Sequence, residues 1–504
     1  MRGLAANRYA LFVLVVIALT AAFFVAWISR GAAGSARGVA ARPQMVPLTS
    51  AIRSCPAPGA GRVAVFAAPG QQAGGRAELS AVPITAIRPP AGAPGAGPAA
   101  AAPAAPLFTV SQPGRLWLSR NGFAVVRPAR RTRHGGKAQP APRAAAVAVT
   151  VSASGPMAQG LDAEQTSYPL NGSAGTVTGV QCSEPGTDFW FLGPGPAKNT
   201  AINLHLVNPD SRPAAVDVEI FTDTGPLQGN TDTGIEVPAG GSVVQPVSTL
   251  VPGARVVGMH VRTSVGRVAA AVQTAAAWWR AASAPANQVV VPGLPGAGRG
   301  RMLYLIDPGG SDAQVHVQAI TPAGTYEPAG AGGIDVPAGS VVALDLPSLN
   351  VIPAALRLRS AIPVTAAVAA GTDAFTAATG PLQQQGVIAD NVSGGGYATS
   401  VVLSAPDGPA QVRITPAGAD GLAGQGQLVA VGAGHSISVN VAAPPGAQNG
   451  FAIVISPLAG SGRVYAGRVL TARARGAMLL TPVVSAPASV TLPPVSGSGL
   501  AAIP

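Results

Sequence analysis

A segment of about seventy residues recurs three times along this chain, at a spacing of roughly one hundred residues. Each full copy contains an Asn-Pro or Asp-Pro pair, an alternating apolar run and a Val-Pro-Ala-Gly turn. These elements occupy residues 208–209, 215–220 and 237–240 in the first copy and 307–308, 314–319 and 336–339 in the second. A third, looser copy begins at Ala405-Pro406. The spacing exceeds that of solenoid repeats, so each copy is predicted to be a domain with its own core.

Alternation within the copies predicts β-strands. Val216, Val218 and Ile220 alternate with Asp217 and Glu219, so one face of the strand is expected to be buried and the other solvated. The 64 glycines and 49 prolines supply many turns between such short strands. We therefore predict an all-β fold, with tandem β-sandwich modules of immunoglobulin-like type behind one N-terminal transmembrane helix.

The predicted organisation follows these patterns. It comprises a cytoplasmic tail (1–8), a transmembrane signal anchor (9–28), a tether (29–54), an N-terminal β module (55–198), three sandwich repeats (199–290, 298–385 and 396–484) and a flexible tail (485–504). Strands are expected in the N-terminal module at 62–66, 77–82, 115–118, 123–126, 145–151 and 176–180. A Pro/Ala/Gly tract at 88–106 and a basic stretch at 127–143 are predicted to be flexible insertions in that module.

Residues 9–28 carry no charged side chain, and as a helix they are long enough to cross about 30 Å of hydrocarbon. A cleaved signal peptide is the alternative, although its apolar region usually covers only about 7 to 15 residues. Phe23, Phe24 and Trp27 suit an interfacial anchor. We therefore predict a single-pass protein of the cytoplasmic membrane with its C-terminal body outside the cytoplasm.

Cys55 and Cys182 are the two cysteines of the chain. An exported location would allow them to form one disulfide, and two separate buried thiols are the alternative. Their spacing excludes a CxxC redox or zinc motif. The chain-entropy estimate for such a long closed loop is about 4 to 5 kcal/mol.

The sequence contains no evident set of catalytic residues. The five histidines belong to no recognisable constellation, and His205, His260 and His316 lie in strand-like alternation, where a solvent-facing residue is the ordinary explanation. Acidic residues are scattered at strand ends and turns without the pairing that glycoside hydrolysis requires. We predict no catalytic, cofactor-binding or metal-binding residue and no enzyme.

Two features could contact a ligand. Trp278 and Trp279 could stack on a sugar, but large side chains between modules more often fill an interdomain core. The formal charge is +12, and one basic loop could attract anionic polymers or lipid headgroups, or be a solvated loop without a partner. Its basic residues are Arg127, Arg130, Arg131, Arg133, Lys137 and Arg143. Nucleic acid is not expected as a partner, because the loop lacks interleaved aromatic residues.

The chain resembles a family of uncharacterised exported proteins of actinobacteria, classed as a domain of unknown function. The resemblance rests on Cys55-Pro56, Cys182 upstream of Trp190, Asn208-Pro209, the Val-Pro-Ala-Gly turn and the region of Trp279. It implies a location in the cell envelope and no activity.

The leading functional expectation is a non-enzymatic, membrane-anchored extracytoplasmic scaffold or interaction protein of the bacterial cell envelope. The alternative is an accessory protein that binds cell-wall glycans or anionic polymers through the tryptophan pair and the basic loop. A hydrolase with an unrecognised site is third. The expected partners are the cytoplasmic membrane, through residues 9–28, and cell-wall polymers or envelope proteins.

Overall fold

The computed structural model of the 504-residue chain divides it into two compact units, Met1–Val46 with Ser489–Pro504, and Pro47–Ala488. The residues it describes are 12–25, 44–56, 61–67, 76–82, 84–87, 123–126, 148–168, 177–196, 201–227, 232–248, 250–296, 300–349, 351–418, 426–447, 450–472 and 476–492.

The described residues of the smaller unit form an α-helix and a two-stranded sheet. Helix α1 covers residues 12–25, and its apolar side chains are exposed. Strand β1 (Gln44–Pro47) pairs with β35 (Ser489–Leu492). Residues 12–25 of the span predicted at 9–28 are helical, and residues 9–11 and 26–28 lie outside the described residues. Within the described parts of the chain, the structure contains no helix of the length and apolarity needed to cross a membrane.

The larger unit is built from four consecutive β modules. Module 1 contains β2 (Ser50–Cys55), β3 (Arg62–Phe66), β4 (Arg76–Val82), β5 (Ile84–Ile87), β6 (Phe123–Val126), β7 (Ala148–Ser154), β8 (Asp162–Ser167) and β9 (Thr178–Gln181). Module 2 contains β10 (Asp188–Pro194), β11 (Ile202–Val207), β12 (Ala214–Thr222), β13 (Gly225–Pro226), β14 (Asp232–Val237), β15 (Ser242–Pro246), β16 (Val256–Val265), β17 (Ala269–Thr274) and β18 (Trp278–Trp279).

Modules 3 and 4 follow the same order of strands. Module 3 contains β19 (Ala286–Leu294), β20 (Arg301–Asp307), β21 (Ala313–Thr321), β22 (Gly324–Tyr326), β23 (Ile334–Val336), β24 (Ser340–Asp345), β25 (Ala354–Ala370) and β26 (Ala374–Ala377). Module 4 contains β27 (Gly386–Asn391), β28 (Tyr397–Ala405), β29 (Ala410–Ala417), β30 (Gln427–Val431), β31 (His435–Val441), β32 (Phe451–Pro457), β33 (Tyr465–Ala472) and β34 (Met478–Val483). Short 3-10 helices cover Gly155–Ala158 and Pro347–Leu349.

Every module has two sets of paired strands, named sheets A and B here with the module number. In module 3 the long strand β25 belongs to both, so that A3 and B3 are continuous with each other. The A sheets have the orders β2-β7-β4 (A1), β10-β16-β12-β14 (A2), β19-β25-β21-β23 (A3) and β27-β32-β29-β30 (A4). The B sheets have the orders β6-β3-β8-β9 (B1), β15-β11-β17-β18 (B2), β24-β20-β25-β26 (B3) and β31-β28-β33-β34 (B4). The short strands β13 and β22 extend A2 and A3, and β5 pairs in parallel with β15 at the edge of B2.

The mostly β architecture agrees with the sequence, but the immunoglobulin-like type is not confirmed. In immunoglobulin domains the first two strands lie in one sheet. Here the first strand of each module belongs to the A sheet and the second to the B sheet. The N-terminal module has the same strand order as the three sequence repeats, except that sheet A1 has three described strands instead of four, so the structural repeat is fourfold.

The modules pack in sequence and the last packs on the first. The A sheet of each module contacts the B sheet of the next: Ala148 with Val207 and Ala269 (A1 on B2), Gly258 with Ile306 and Val341 (A2 on B3), Val290 and Ile320 with Tyr465 (A3 on B4), and Val387 and Ala389 with Ala64 and Phe66 (A4 on B1). The last strands of the modules, β9, β18, β26 and β34, contact one another in a cycle and line one small cavity of about 10 Å³. The modules therefore form a closed ring with these strands at its centre.

Strands occur in two segments for which none are predicted from the sequence. Residues 44–54, expected to belong to the tether, form β1 and most of β2, and β2 pairs with β7 in sheet A1. Strand β2 lacks the alternation of apolar and polar residues that marks a half-buried strand, because its polar residues Arg53 and Ser54 are themselves buried. Arg53 is bonded to Glu184, and Ser54 is bonded to Thr150. In the predicted tail, Ser489–Leu492 forms β35. The insertions at 88–106 and 127–143 and the strand at 115–118 lie outside the described residues.

Candidate functional site

The predicted disulfide is present. Cys55 at the end of β2 is bonded to Cys182, which follows β9, with the two Cα atoms 4.4 Å apart and 127 positions separating them in the chain. Both residues are buried in the core between A1 and B1. The bridge thus joins the first strand of module 1 to the segment that leads into module 2.

The two tryptophans predicted as ligand contacts differ in their surroundings. Trp279 is 1% exposed, and its ring stacks on Phe375 of module 3 with the ring centroids 5.2 Å apart. Trp278 is half-buried, with its ring 5.0 Å from that of His205. The six basic residues Arg127, Arg130, Arg131, Arg133, Lys137 and Arg143 lie outside the described part of the chain. Trp279 therefore fills the contact between modules 2 and 3.

The described histidines lie in separate places. His205 is buried in β11 instead of facing solvent, because sheet B2 is covered by A2 on one face and by A1 on the other. Burial lowers the pKa of His205 to about 4, and its ring shares a hydrogen bond of 3.1 Å with Gln273. His260 stacks on Trp190 at 3.7 Å. No group of three or more His, Cys, Asp or Glu side chains that could hold a metal occurs within the described ranges.

Five buried charged residues meet where the ring closes. We call them the ring-closing cluster: Arg62, Asp162 and Glu164 of module 1 with Asp390 and Arg468 of module 4. Arg62 donates two hydrogen bonds to the Asp390 carboxylate, the one from Nε being 2.8 Å long, and Thr166 donates to the same carboxylate. Arg468 donates to Glu164 Oε1 and to the Asp390 carbonyl oxygen. The cluster therefore bonds the first module to the last.

Backbone contacts complete the cluster. The amide of Asp390 donates to Glu164 Oε2 at 3.2 Å, and the amide of Ala389 donates to Asp162 Oδ2 at 2.9 Å. These bonds fix β27 of sheet A4 against β8 of sheet B1. The carboxylates of module 1 thus satisfy polar groups of module 4 that would otherwise be buried without partners.

Burial shifts the proton affinities of these acids upward. It raises the pKa of Glu164 to about 7, although Arg468 favours the ionised form, and the nearby carboxylates of Asp390 and Asp162 add to the increase. It raises the pKa of Asp162 to about 6, against the opposing effect of the hydrogen bond from Gln181. Carboxyl groups with such values are often found at functional sites, but buried structural networks shift pKa values as well.

A third module contributes to the same region. Gln181 of β9 donates to Asp162 Oδ1 at 2.6 Å and accepts a hydrogen bond from Arg280, which follows β18 of module 2. Burial lowers the pKa of Arg280 to about 10. Charged residues of modules 1, 2 and 4 are therefore linked around the central strands.

A separate cavity of about 550 Å³ lies between modules 2 and 3, and we call it the Trp279 cavity. Its wall is formed by the turn after β17 and by residues of β18, β20, β25 and β26. The larger lining side chains are Ile202, Trp279, Met302, Tyr304, Asp345 and Phe375. Its volume is within the range of small-molecule sites.

The sequence patterns described above indicate neither the ring-closing cluster nor this cavity. A signal for the cluster exists, because charged residues make up only 10% of the chain and several of them interrupt strands of small and apolar residues. Glu164 lies inside β8, and Arg468 lies inside β33. A charge inside such a strand indicates a buried polar network, but its partners depend on tertiary pairing that the sequence does not specify.

Comparison with known protein families gives one assignment. The sequence profile of DUF5719, a family of unknown function, matches residues 138–442, which extend from module 1 into module 4. Neither the curated proteins nor the solved structures yielded a match. The family match covers more than half of the chain and spans the modules that form the ring. The protein therefore belongs to the DUF5719 family of unknown function.

Proposed function

We propose that this protein is a non-enzymatic scaffold of the bacterial cell envelope, in which the ring of four modules is a rigid platform for other envelope components. One observation carries the proposal: Asp162 and Glu164, two buried carboxylates with raised pKa values, bond module 1 to module 4. Their hydrogen-bonding capacity is used inside the ring, in support of a structural role for them.

A location outside the cytoplasm is part of the proposal. The disulfide between Cys55 and Cys182 supports it, because disulfides persist in oxidising compartments and are rare in the cytosol. The uncharged N-terminal segment around α1 supports export as well. Retention in the cytoplasmic membrane and an actinobacterial source remain predictions.

The location is tested by adding protease to intact protoplasts and following a C-terminal tag. We expect digestion from outside, and we expect thiol labelling of the denatured protein without reductant to find no free cysteine. Protection of the tag until lysis, together with two free thiols, would contradict the extracytoplasmic location.

The scaffold role is tested by placing a photo-crosslinking amino acid at exposed apolar positions of the ring, such as Val351 and Leu428, in living cells. We expect discrete adducts with envelope components at one or more exposed positions, and none with the crosslinker at the buried Leu403. Unmodified monomer at every exposed position would contradict the scaffold. Turnover of glycosidic or ester substrates by the purified protein would contradict a non-enzymatic role.

Binding of cell-wall glycans or anionic polymers is a second proposal with less support. Of the tryptophan pair, Trp278 is half-buried and Trp279 is fully packed against Phe375. Retention of the purified protein on peptidoglycan or anionic wall polymers at low salt would favour this alternative.

A further inference from the structure

The Trp279 cavity has a rigid, largely apolar wall. Trp279 is held by its stacking on Phe375, and Ile202 belongs to the apolar core shared by modules 2 and 3. Small residues at the turn after β17 and at the start of β26 leave the space between the modules open, including Ala276, Gly371 and Ala374. The wall is therefore preformed, as is usual for small-molecule sites.

The hydroxyl of Tyr304 in this wall has no hydrogen-bond partner among the described residues. Tyr304 of β20 lines the cavity and is only 6% exposed, and its hydroxyl forms no hydrogen bond with any described residue. Burial raises the pKa of this phenol to about 12, so it stays protonated and can donate. Because Tyr304 lines an open cavity and its hydroxyl has no acceptor among the described residues, this hydroxyl is positioned to donate to a ligand.

Asp345, at the end of β24, sets the charge of the cavity. It is exposed and is the one charged residue among the described residues of the lining. A carboxylate at this point repels anionic ligands and leaves neutral ones unaffected. Sugars are disfavoured as well, because the lining offers few polar groups and the face of Trp279 is covered.

We propose that the Trp279 cavity binds a neutral, largely apolar small molecule whose oxygen atom accepts a hydrogen bond from the Tyr304 hydroxyl. The apolar part of the molecule fills the space against Trp279, Met302 and Phe375, and Asp345 excludes anionic analogues. This inference goes beyond the scaffold role, which does not require a small ligand.

The proposal is tested by titrating the purified full chain with three probes that share a ten-carbon chain and measuring binding by calorimetry and tryptophan fluorescence. The probes are methyl decanoate, which has an acceptor and no charge, decane, which has no acceptor, and decanoate, which is an anion. We expect methyl decanoate to bind more tightly than either of the others. Absence of binding by all three, or tighter binding of decanoate, would overturn the proposal.

Variants separate the contribution of each group. Tyr304→Phe removes only the hydroxyl and is expected to weaken methyl decanoate binding by about 3- to 10-fold while leaving decane binding unchanged. Tyr326→Phe is the matched control, because Tyr326 is exposed on β22 and does not line the cavity. The Asp345→Asn variant is expected to bind decanoate more tightly than the wild type does, so that the ratio of the affinities for methyl decanoate and decanoate falls. Equal affinity of the Tyr304→Phe variant and the wild type for the ester would refute the role of Tyr304.

A filling variant tests the place of binding. Met302→Trp adds bulk to a half-buried lining position and is expected to abolish binding of the ester. Thermal unfolding of each variant establishes that it folds. If Met302→Trp does not fold, competition between methyl decanoate and bromodecane, read by quenching of tryptophan fluorescence, gives the same information. Retained ester binding in a folded Met302→Trp protein, or no quenching by bromodecane, would contradict binding in this cavity.

Discussion

At the scale of single residues, Glu164 makes the stability of this protein depend on pH in a direction unusual for a carboxylate. Its pKa is raised from 4.5 to about 7 by burial, so between these values the folded protein binds more protons than the unfolded chain. The free energy of unfolding contributed by Glu164 therefore falls as the pH rises through this range. His205 acts in the opposite direction between about pH 4 and 6.5, because its pKa is lowered.

We predict that the Glu164→Gln variant gains stability relative to the wild type as the pH rises from about 4.5 to 7, by a difference on the order of 3 kcal/mol. The contribution of His205 is the same in both proteins and cancels. Denaturant unfolding at a series of pH values measures the difference. Glu236→Gln, at an exposed position, is the control and should follow the wild-type profile. A constant difference between Glu164→Gln and the wild type would show that Glu164 does not titrate in this range.

The Arg468→Met variant tests the ion pair itself. It leaves the Glu164 carboxylate buried without its cation, so we expect a loss of about 3 to 5 kcal/mol in the free energy of unfolding at pH 8. Arg413→Met in the same module, at an exposed position of β29, should cost less than about 0.5 kcal/mol. Equal effects of the two substitutions would show that the cluster does not stabilise the ring.

At the scale of strands and turns, the sequence predicts the positions of those elements that are specified by residues close together in the chain. The strands expected at 62–66 and 123–126 match β3 and β6, because alternating or β-branched runs bounded by turn residues specify a strand locally. The Val-Pro-Ala-Gly segments are turns in which Gly240 and Gly339 have positive φ angles. The order of strands within a sheet could not be predicted in this way, because it depends on pairings between residues that are distant in the chain. The fourth copy of the repeat is recognised only from that order.

Gly240 allows a test of the turn, since its φ of +59° lies in the left-handed region and an added Cβ would meet no atom within 4 Å. The Gly240→Ala variant is expected to lose about 1 kcal/mol of stability from backbone strain alone. Gly310→Ala, where the backbone is not left-handed and the space is equally open, should be nearly neutral. Equal midpoints of the two variants in denaturant unfolding would argue against this account of the turn.

At the scale of the whole molecule, the disulfide and the ring act on the same unfolding transition. We predict that the Cys55→Ser/Cys182→Ser variant is less stable by about 2 to 5 kcal/mol, because the bridge closes a long loop in the unfolded chain. Reductant should lower the wild type to the same stability and leave the double variant unchanged. A loss of stability when reductant is added to the double variant would show that the reductant acts on something other than this disulfide.

The shared interfaces also predict cooperativity. Because each A sheet packs on the next B sheet around the ring, separation of one module exposes apolar surface on both of its neighbours. We expect one calorimetric transition whose measured enthalpy equals the van't Hoff enthalpy. Several resolved transitions would instead describe independent domains, as the sequence repeats alone would predict.

Because the ring is closed, the order of the modules along the chain can be changed. The two ends of the ring lie side by side, since the amide of Leu48 donates to the carbonyl of Ala488 at 2.9 Å. Chains whose ends are adjacent tolerate circular permutation. Joining these ends by a short linker and opening the chain between modules 2 and 3, at residues 280–285, would preserve every sheet of the four modules. In such a molecule module 3 would be synthesised first and module 2 last, and the ring-closing cluster would form between consecutive modules.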